Sequence, residues 1–427
     1  MAVVLGKQSA LRVWDGIVAG QGMLVDQSAF LDRAAIAGRS VFGDQNAPAS
    51  RGASFDRSTN VSPSAAAPSR GVPFAFQSSR DYRHALERDT KAAVRFLVSG
   101  APPVLDPATK ARFFADESPI HATVTHARFR RAGGGIEASV RKGPFHPQSF
   151  MRIEDGLYVS TPEMAFCEMA NALSLEQLMA LGFELCGTYR RASTFGSARY
   201  DATPLTSPGA LAAFVEKSPQ FKGAKKARRA LPYILAGSAS PRESELAALL
   251  CLPYALGGYG LPRPVMNAEM SLPKNVSATG RSSLRCDLYW PAARLDVEYD
   301  SNEFHSAERR LANDSMRRMA LESMGVTSVN LTAEHLRRAS LFDEAAQGIA
   351  RILGKRVRLP GDFRVKQERL WRELGIVPSN VSLLQAVSAN GPLGLNEATS
   401  SALNDYVPLV PNGVNPSMPC GDSIGAQ

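Results

Sequence analysis

The stretch SLRCDLYWPAARLDVEYD, residues 283–300, leaves the backbone little choice. Leu284, Cys286, Leu288 and Trp290 alternate with Arg285, Asp287 and Tyr289, so a strand through them has one apolar face and one face carrying Asp287. After Pro291-Ala292-Ala293-Arg294 the alternation resumes, with Leu295, Val297 and Tyr299 on one face and Asp296, Glu298 and Asp300 on the other. Two such runs joined by four residues predict a β-hairpin. With a symmetric loop Trp290 faces Leu295, which sets Asp287 opposite Glu298 and Arg285 opposite Asp300. Opposed residues lie about 4.5 to 5.5 Å apart at Cβ.

Two carboxylates that close repel, and burying both uncompensated is costly, so the pair needs a shared proton, a basic neighbour or a divalent cation. A hard cation with oxygen ligands is the simplest solution, and magnesium characteristically sits on one or two carboxylates plus waters. Such a site serves phosphodiester hydrolysis. The bound metal polarises the phosphoryl oxygen, lowers the pKa of a bound water and stabilises the charge that builds in the transition state. The same alternation also fits an amphipathic edge hairpin whose acidic face is merely wet, so the flanking residues have to decide.

At 427 residues the chain exceeds one ordinary core, which predicts two or more folded units. Apolar residues make up 44% and charged residues 21%, which excludes disorder throughout. No apolar run approaches the roughly 18 to 20 residues of a membrane span, and the richest, Leu246 to Leu256, is broken by Pro253. No membrane partner is expected. The N-terminal apolar patch is ended by Lys7 and its positive charge follows it, so it does not read as a signal peptide and a cytoplasmic location is expected. Cys167, Cys186, Cys251, Cys286 and Cys420 form no CxxC and no Cys/His cluster, which indicates neither a disulfide framework nor a structural zinc site. The formal charge is +9, and no Lys or Arg follows Gly375, so the basic excess belongs to the preceding residues and is compatible with a polyanionic partner.

Residues 1–42 read as a short strand with helical pieces, and SALRVWDGIV places Leu11, Trp14 and Ile17 at helical spacing. Residues 43–71, a run of Ser, Ala, Pro, Gly and Asn, read as a disordered insertion. An α+β unit is expected over 72–205. In it SRDYRHALERDTKAAVRFLVSG reads as helix entering strand, PIHATV, IEASVRK and GLYVST as strands, and TPEMAFCEMANAL and SLEQLMALGFELCG as helices. A basic linker follows over 206–239, in which Lys217, Lys222, Lys225, Lys226, Arg228 and Arg229 suit either a solvated face or a phosphate-contacting surface.

Residues 240–358 are expected to be α/β, a mixed sheet flanked by helices. The elements are helix 241–251, the hairpin 283–300, helix 307–324, strand 326–332 and helix 341–353. Strand 326–332 should lie parallel to one hairpin strand through the helical crossover. FRVKQERLWREL makes a helix within 359–375, and 376–427 reads as a mostly disordered tail.

SPRESELAALL, GLPRPVMN, CDLYWPAARLDVEYDSNEFHS and ANDSMRRMALESMGV together resemble the very-short-patch-repair-like endonuclease domains of the PD-(D/E)xK nuclease superfamily. The likeness covers Ser240 to Gly354. It implies a restriction-endonuclease-like fold in which Asp287 and Glu298 hold magnesium, Glu243 supplies the first-helix acid, and His305 is the general base or positions water. Two positions depart from the pattern. Cys286 stands where the motif name has proline, and Asp300 replaces the lysine that often orients the attacking water.

Other roles stay open for these residues. Glu243 follows Ser240 by three with Pro241 between, which also fits a capping box. His305 also suits a cap at the next helix. Arg309, Arg310, Arg317 and Arg318, with Lys225 and Lys226, suit DNA phosphates or a solvated basic face.

Residues from about 120 to 191 are similar to the region that precedes such a domain in antitoxins of the abortive-infection type. With the SALRVW helix, this implies a winged-helix-like DNA-binding or regulatory module and a toxin protein as a partner. The expected function is a magnesium-dependent DNA endonuclease-like phosphodiester hydrolase. The alternative is a non-catalytic, antitoxin-like DNA-binding regulator on the same fold. Retention of three acids favours the first; the missing lysine and the N-terminal half favour the second.

Overall fold

The computed structural model describes residues 3–18, 79–114, 119–133, 135–191, 198–272, 282–300 and 307–376. The expected insertion at 43–71, the tail from 377 onward and the second helical piece of the first block lie outside the described residues. What is described is a mixed α/β protein built on two mixed sheets.

The first sheet has six strands: β1 (Val3–Leu5), β2 (Ile120–Val124), β3 (Arg131–Gly133), β4 (Ile136–Val140), β5 (Phe150–Glu154) and β6 (Leu157–Ser160). Their order is β3-β4-β2-β1-β6-β5. Val3, Val4 and Leu5 are apolar on both faces and all buried, which is why so short a strand occupies the interior of the sheet, antiparallel to β2 and parallel to β6. The N-terminal segment is thus a sheet component as well as a helix, α1 (Lys7–Val18), whose buried Trp14 donates from Nε1 to the Ser160 carbonyl at 2.9 Å.

The expected passage from helix to strand near residue 95 does not occur. α2 (Ser79–Ser99) stays helical to its end, because Leu86, Thr90, Ala93 and Leu97 keep a three-to-four residue spacing and are all buried. It is followed by α3 (Pro107–Phe114), α4 (Pro162–Met169) and α5 (Leu175–Cys186). The Thr161 hydroxyl accepts from the Met164 N–H to start α4, and Ser174 and Gln177 form a reciprocal capping box at α5.

The basic stretch after residue 206 is not a linker. It contains α6 (Pro208–Glu216) and α7 (Ala224–Ala230), whose Leu211, Phe214, Val215, Ala224, Ala227 and Ala230 are buried in the core. Small and apolar residues at helical spacing dock both helices, and the lysines and arginines lie between them.

The second sheet has the order β10-β9-β8-β7, with β7 (Val265–Ser271), β8 (Ser283–Trp290), β9 (Leu295–Asp300) and β10 (Thr327–Thr332). Helix α8 (Pro241–Cys251) precedes it, and α9 (Ala307–Ser323) carries the chain from β9 to β10, which pair in parallel as the crossover predicts. α10 (Ala333–Arg337), α11 (Ala339–Ile352) and α12 (Phe363–Leu374) complete the unit. β7 goes beyond the expected elements. It pairs antiparallel with β8 and buries Met266, Ala268 and Met270.

One hydrophobic core runs from the first sheet through α5 and α8 to β8, β9, α11 and α12. A smaller cluster under α9 holds Ala268, Met270, Leu284, Cys286, Tyr289, Ala320, Leu321 and Val326.

Candidate active site

The hairpin adopts the symmetric register. Trp290 pairs with Leu295, Tyr289 with Asp296 and Leu288 with Val297, across a turn at Pro291–Ala293 closed by Arg294 in the left-handed region at φ 47. One step beyond that ladder the Tyr299 N–H donates to Asp287 Oδ2 at 3.0 Å, so the Asp287 carboxylate lies against β9 where Glu298 leaves it.

The strands do not keep one face throughout. Met266 and its partner Leu288 belong to the main core, whereas Ala268 and its partner Cys286 belong to the cluster under α9. Residues two apart in a regular strand share a face, so the sheet changes face between these pairs, at Asn267 and Asp287. Asn267 has φ 49, a conformation Asn tolerates better than most residues and one that breaks the alternation. Asp287 therefore sits at a kink, half-buried, with its neighbours turned to opposite sides.

Glu243 reaches the same kink from α8. Its N–H donates to Ser240 Oγ at 3.1 Å, and its carboxylate accepts from the Ala239 N–H at 2.8 Å and from Asn267 Nδ2. Ser240 thus caps α8, but the Glu243 carboxylate takes the Ala239 N–H in place of the Ser240 N–H that a capping box would use. Burial raises its carboxyl above the ordinary range. Burial first, then the charges of Glu298 and Glu243, raise Asp287 to about 7, against the Tyr299 N–H and Arg317. Asp287 thus feels the charges of both Glu298 and Glu243, but among the described residues the ligand atoms of these three acids do not converge within 4.8 Å of one another.

The tightest donor set is different. Among the described residues, ligand atoms of Cys286, Asp296 and Glu298 lie within 4.8 Å of one another. Asp296 is fully buried, and its carboxylate oxygens meet no donor among the described residues other than the Cys286 thiol and a proton shared with Glu298. Burial first, and the adjacent Glu298 second, push its carboxyl far up. Two residues thus join the site beyond the expected set. Asp296 shares the parity of Glu298, which is a readable signal. Cys286 shares the parity of the apolar face and comes to the acids only through the kink.

Arg317, expected as a phosphate contact, turns inward from α9. Its guanidinium donates to Glu298 and to the Arg285 carbonyl, and stands 4.0 Å from Asp296 Oδ2. Two carboxylates with too little positive charge draw it in. Arg318 and Lys225 are exposed, whereas Lys226 donates to the Leu173 carbonyl at 2.6 Å. Arg309 and Arg310 lie on α9, but their side chains, like His305 as a whole, lie outside the described residues.

No family model matches the chain. No solved structure matches it either. It is similar to two proteins of Mycobacterium tuberculosis strains, the uncharacterized proteins MT2308 and Rv2248, each 31% identical over 117 residues. Those matches cover 27% of this chain and 39% of each relative, so the chain spans about two-fifths of the length of the curated relatives it matches.

Proposed function

We propose that the C-terminal half is a magnesium-dependent DNA endonuclease-like phosphodiester hydrolase, restriction-endonuclease-like in fold and very-short-patch-repair-like in type. The observation that carries this reading is the placement of Asp287, held against β9 by the Tyr299 N–H, within electrostatic reach of Glu298 on β9 and of Glu243 on α8. Such a donor set of oxygens fits a hard divalent cation. The order helix, three antiparallel strands, crossover helix and parallel strand also agrees with the fold that the resemblance implies.

Asp287 and Glu298 would hold magnesium, and Glu243 would support it from α8. When bound, the ion supplies charge stabilisation at the phosphoryl oxygen and a more acidic water. The Tyr299 N–H holds the Asp287 carboxylate in place, and Asn267 does the same for Glu243. His305 is the candidate to position the water. Arg318 and Lys225, with Arg309 and Arg310, would hold DNA phosphates. No described helix is long and apolar enough to cross a membrane, and the reading places the chain with DNA in the cytoplasm.

A second reading is favoured by one observation. Arg317 already neutralises Glu298, as it would in an antitoxin-like DNA-binding regulator that keeps the fold, a toxin partner and no chemistry. Nicking of supercoiled plasmid with magnesium separates the two readings. The hydrolase reading expects cleavage by the wild type and a loss on the order of 100-fold or more in Asp287→Ala. Equal, negligible cleavage by both favours the regulator.

A further inference from the structure

We propose that Cys286, Asp296 and Glu298 form a binding site for a thiophilic divalent transition-metal ion, zinc being the intended ligand, beside the magnesium position. The first support is the donor set itself, one thiol and two carboxylates with ligand atoms within 4.8 Å of one another. The second is Asp296, completely buried, whose oxygens meet no donor among the described residues outside the set itself, where only the Cys286 thiol and a proton shared with Glu298 can reach them. A buried carboxylate in that condition needs a cation or a proton. Arg317 meets the need only in part, since it bonds Glu298 and remains 4.0 Å from Asp296.

The chemistry of the donors selects the ion. Thiolate and carboxylate together favour zinc and its neighbours, whereas magnesium takes oxygen alone. Zinc bonds of about 2.0 to 2.3 Å need the three ligands to close inward from their present separation by small side-chain rotations. Met270 Sδ, 3.4 Å from Cys286 Sγ, adds a soft atom beside the thiol. Entry runs past Glu298 and Arg317, whose side chains are 18% and 26% exposed. On binding, a metal–sulfur bond replaces the Cys286 S–H bond, any proton on Asp296 is released with the thiol proton to solvent, and Arg317 leaves Glu298.

Glu298 belongs to both positions, so zinc bound here withdraws it from magnesium and inhibits cleavage; this consequence rests on the proposed function, while the zinc site itself does not. The test is a titration of the full chain with cobalt(II), followed by thiolate-to-cobalt charge-transfer absorption. The expected result is one saturable band in the wild type and in Cys251→Ser, abolished in Cys286→Ser. Asp296→Asn should weaken cobalt binding by about tenfold or more, and Arg317→Met, which leaves the three ligands intact, should tighten it. Absence of a band in the wild type, its survival in Cys286→Ser, or unchanged affinity in Asp296→Asn overturns the proposal. Should Cys286→Ser fail to fold, the Asp296→Asn and Arg317→Met affinities decide. Failure of plasmid nicking alone would count against the hydrolase reading and leave the cobalt result standing.

Discussion

The guanidinium of Arg317, on the helix that crosses from β9 to β10, donates to the carboxylate of Glu298 on β9. The contact ties the crossover helix to the acidic side of the sheet, and it sets a cation of the chain's own where a metal ion would compete.

Removing that cation leaves Glu298 and the buried Asp296 uncompensated. Arg317→Met should therefore destabilise the metal-free protein by roughly 2 kcal/mol, less than a fully buried pair because both side chains are partly exposed. Urea unfolding checks this. The loss should shrink when magnesium is added, because the ion replaces the missing charge. An equal loss with and without magnesium would mean that Arg317 and the ion do not share a position.

Stability should also depend on pH through Asp287. Its carboxyl is raised in the fold to about 7 by burial, Glu298 and Glu243. Its unfolded value is near 4. A raised group contributes stability that is fully present below about pH 4 and is lost as pH rises through about 7. Asp287→Asn should thus be more stable than the wild type at pH 8, by on the order of 2 kcal/mol, and not at pH 4. Thermal or urea unfolding at the two pH values measures the difference, and a parallel offset at both would contradict it.

The buried polar links between the two halves lead to a third expectation. The Arg191 side chain donates to Glu245 of α8 at 3.1 Å, while its N–H donates to Glu184 of α5 at 3.0 Å. Tyr189 and Ser244 add a hydroxyl contact at 3.0 Å nearby. With one core running across both sheets, denaturation should be a single cooperative transition. Arg191→Ala should shift it by roughly 3 kcal/mol, because among the described residues the buried Glu245 then keeps only Arg242. Two resolved transitions in the wild type would contradict a shared core.

Much of the second sheet was readable from local signals. The loop Pro291–Arg294 and the parity of the flanking residues fixed the register of β8 on β9, and Ser240 with Pro241 marked the start of α8. The parallel placement of β10 followed from the length of the crossover helix. The change of face at Asn267 was not readable, because a positive φ at a residue other than glycine is imposed by tertiary contacts, here the bond from Asn267 to Glu243. That kink is why Cys286, assigned by alternation to the apolar face, lies with Asp296 and Glu298. In the first half SRDYRHALERDTKAAVRFLVSG reads as helix entering strand, while the helical spacing of the buried residues governs the whole of α2.

The central claim is that the carboxylates gathered at the kink hold a divalent ion, and binding of Mn2+ followed by electron paramagnetic resonance tests it most directly. The account predicts one saturable site in the wild type, competed by magnesium, with affinity reduced about tenfold or more in both Asp287→Asn and Glu298→Gln. Binding of equal strength in the wild type and in Asp287→Asn would contradict it.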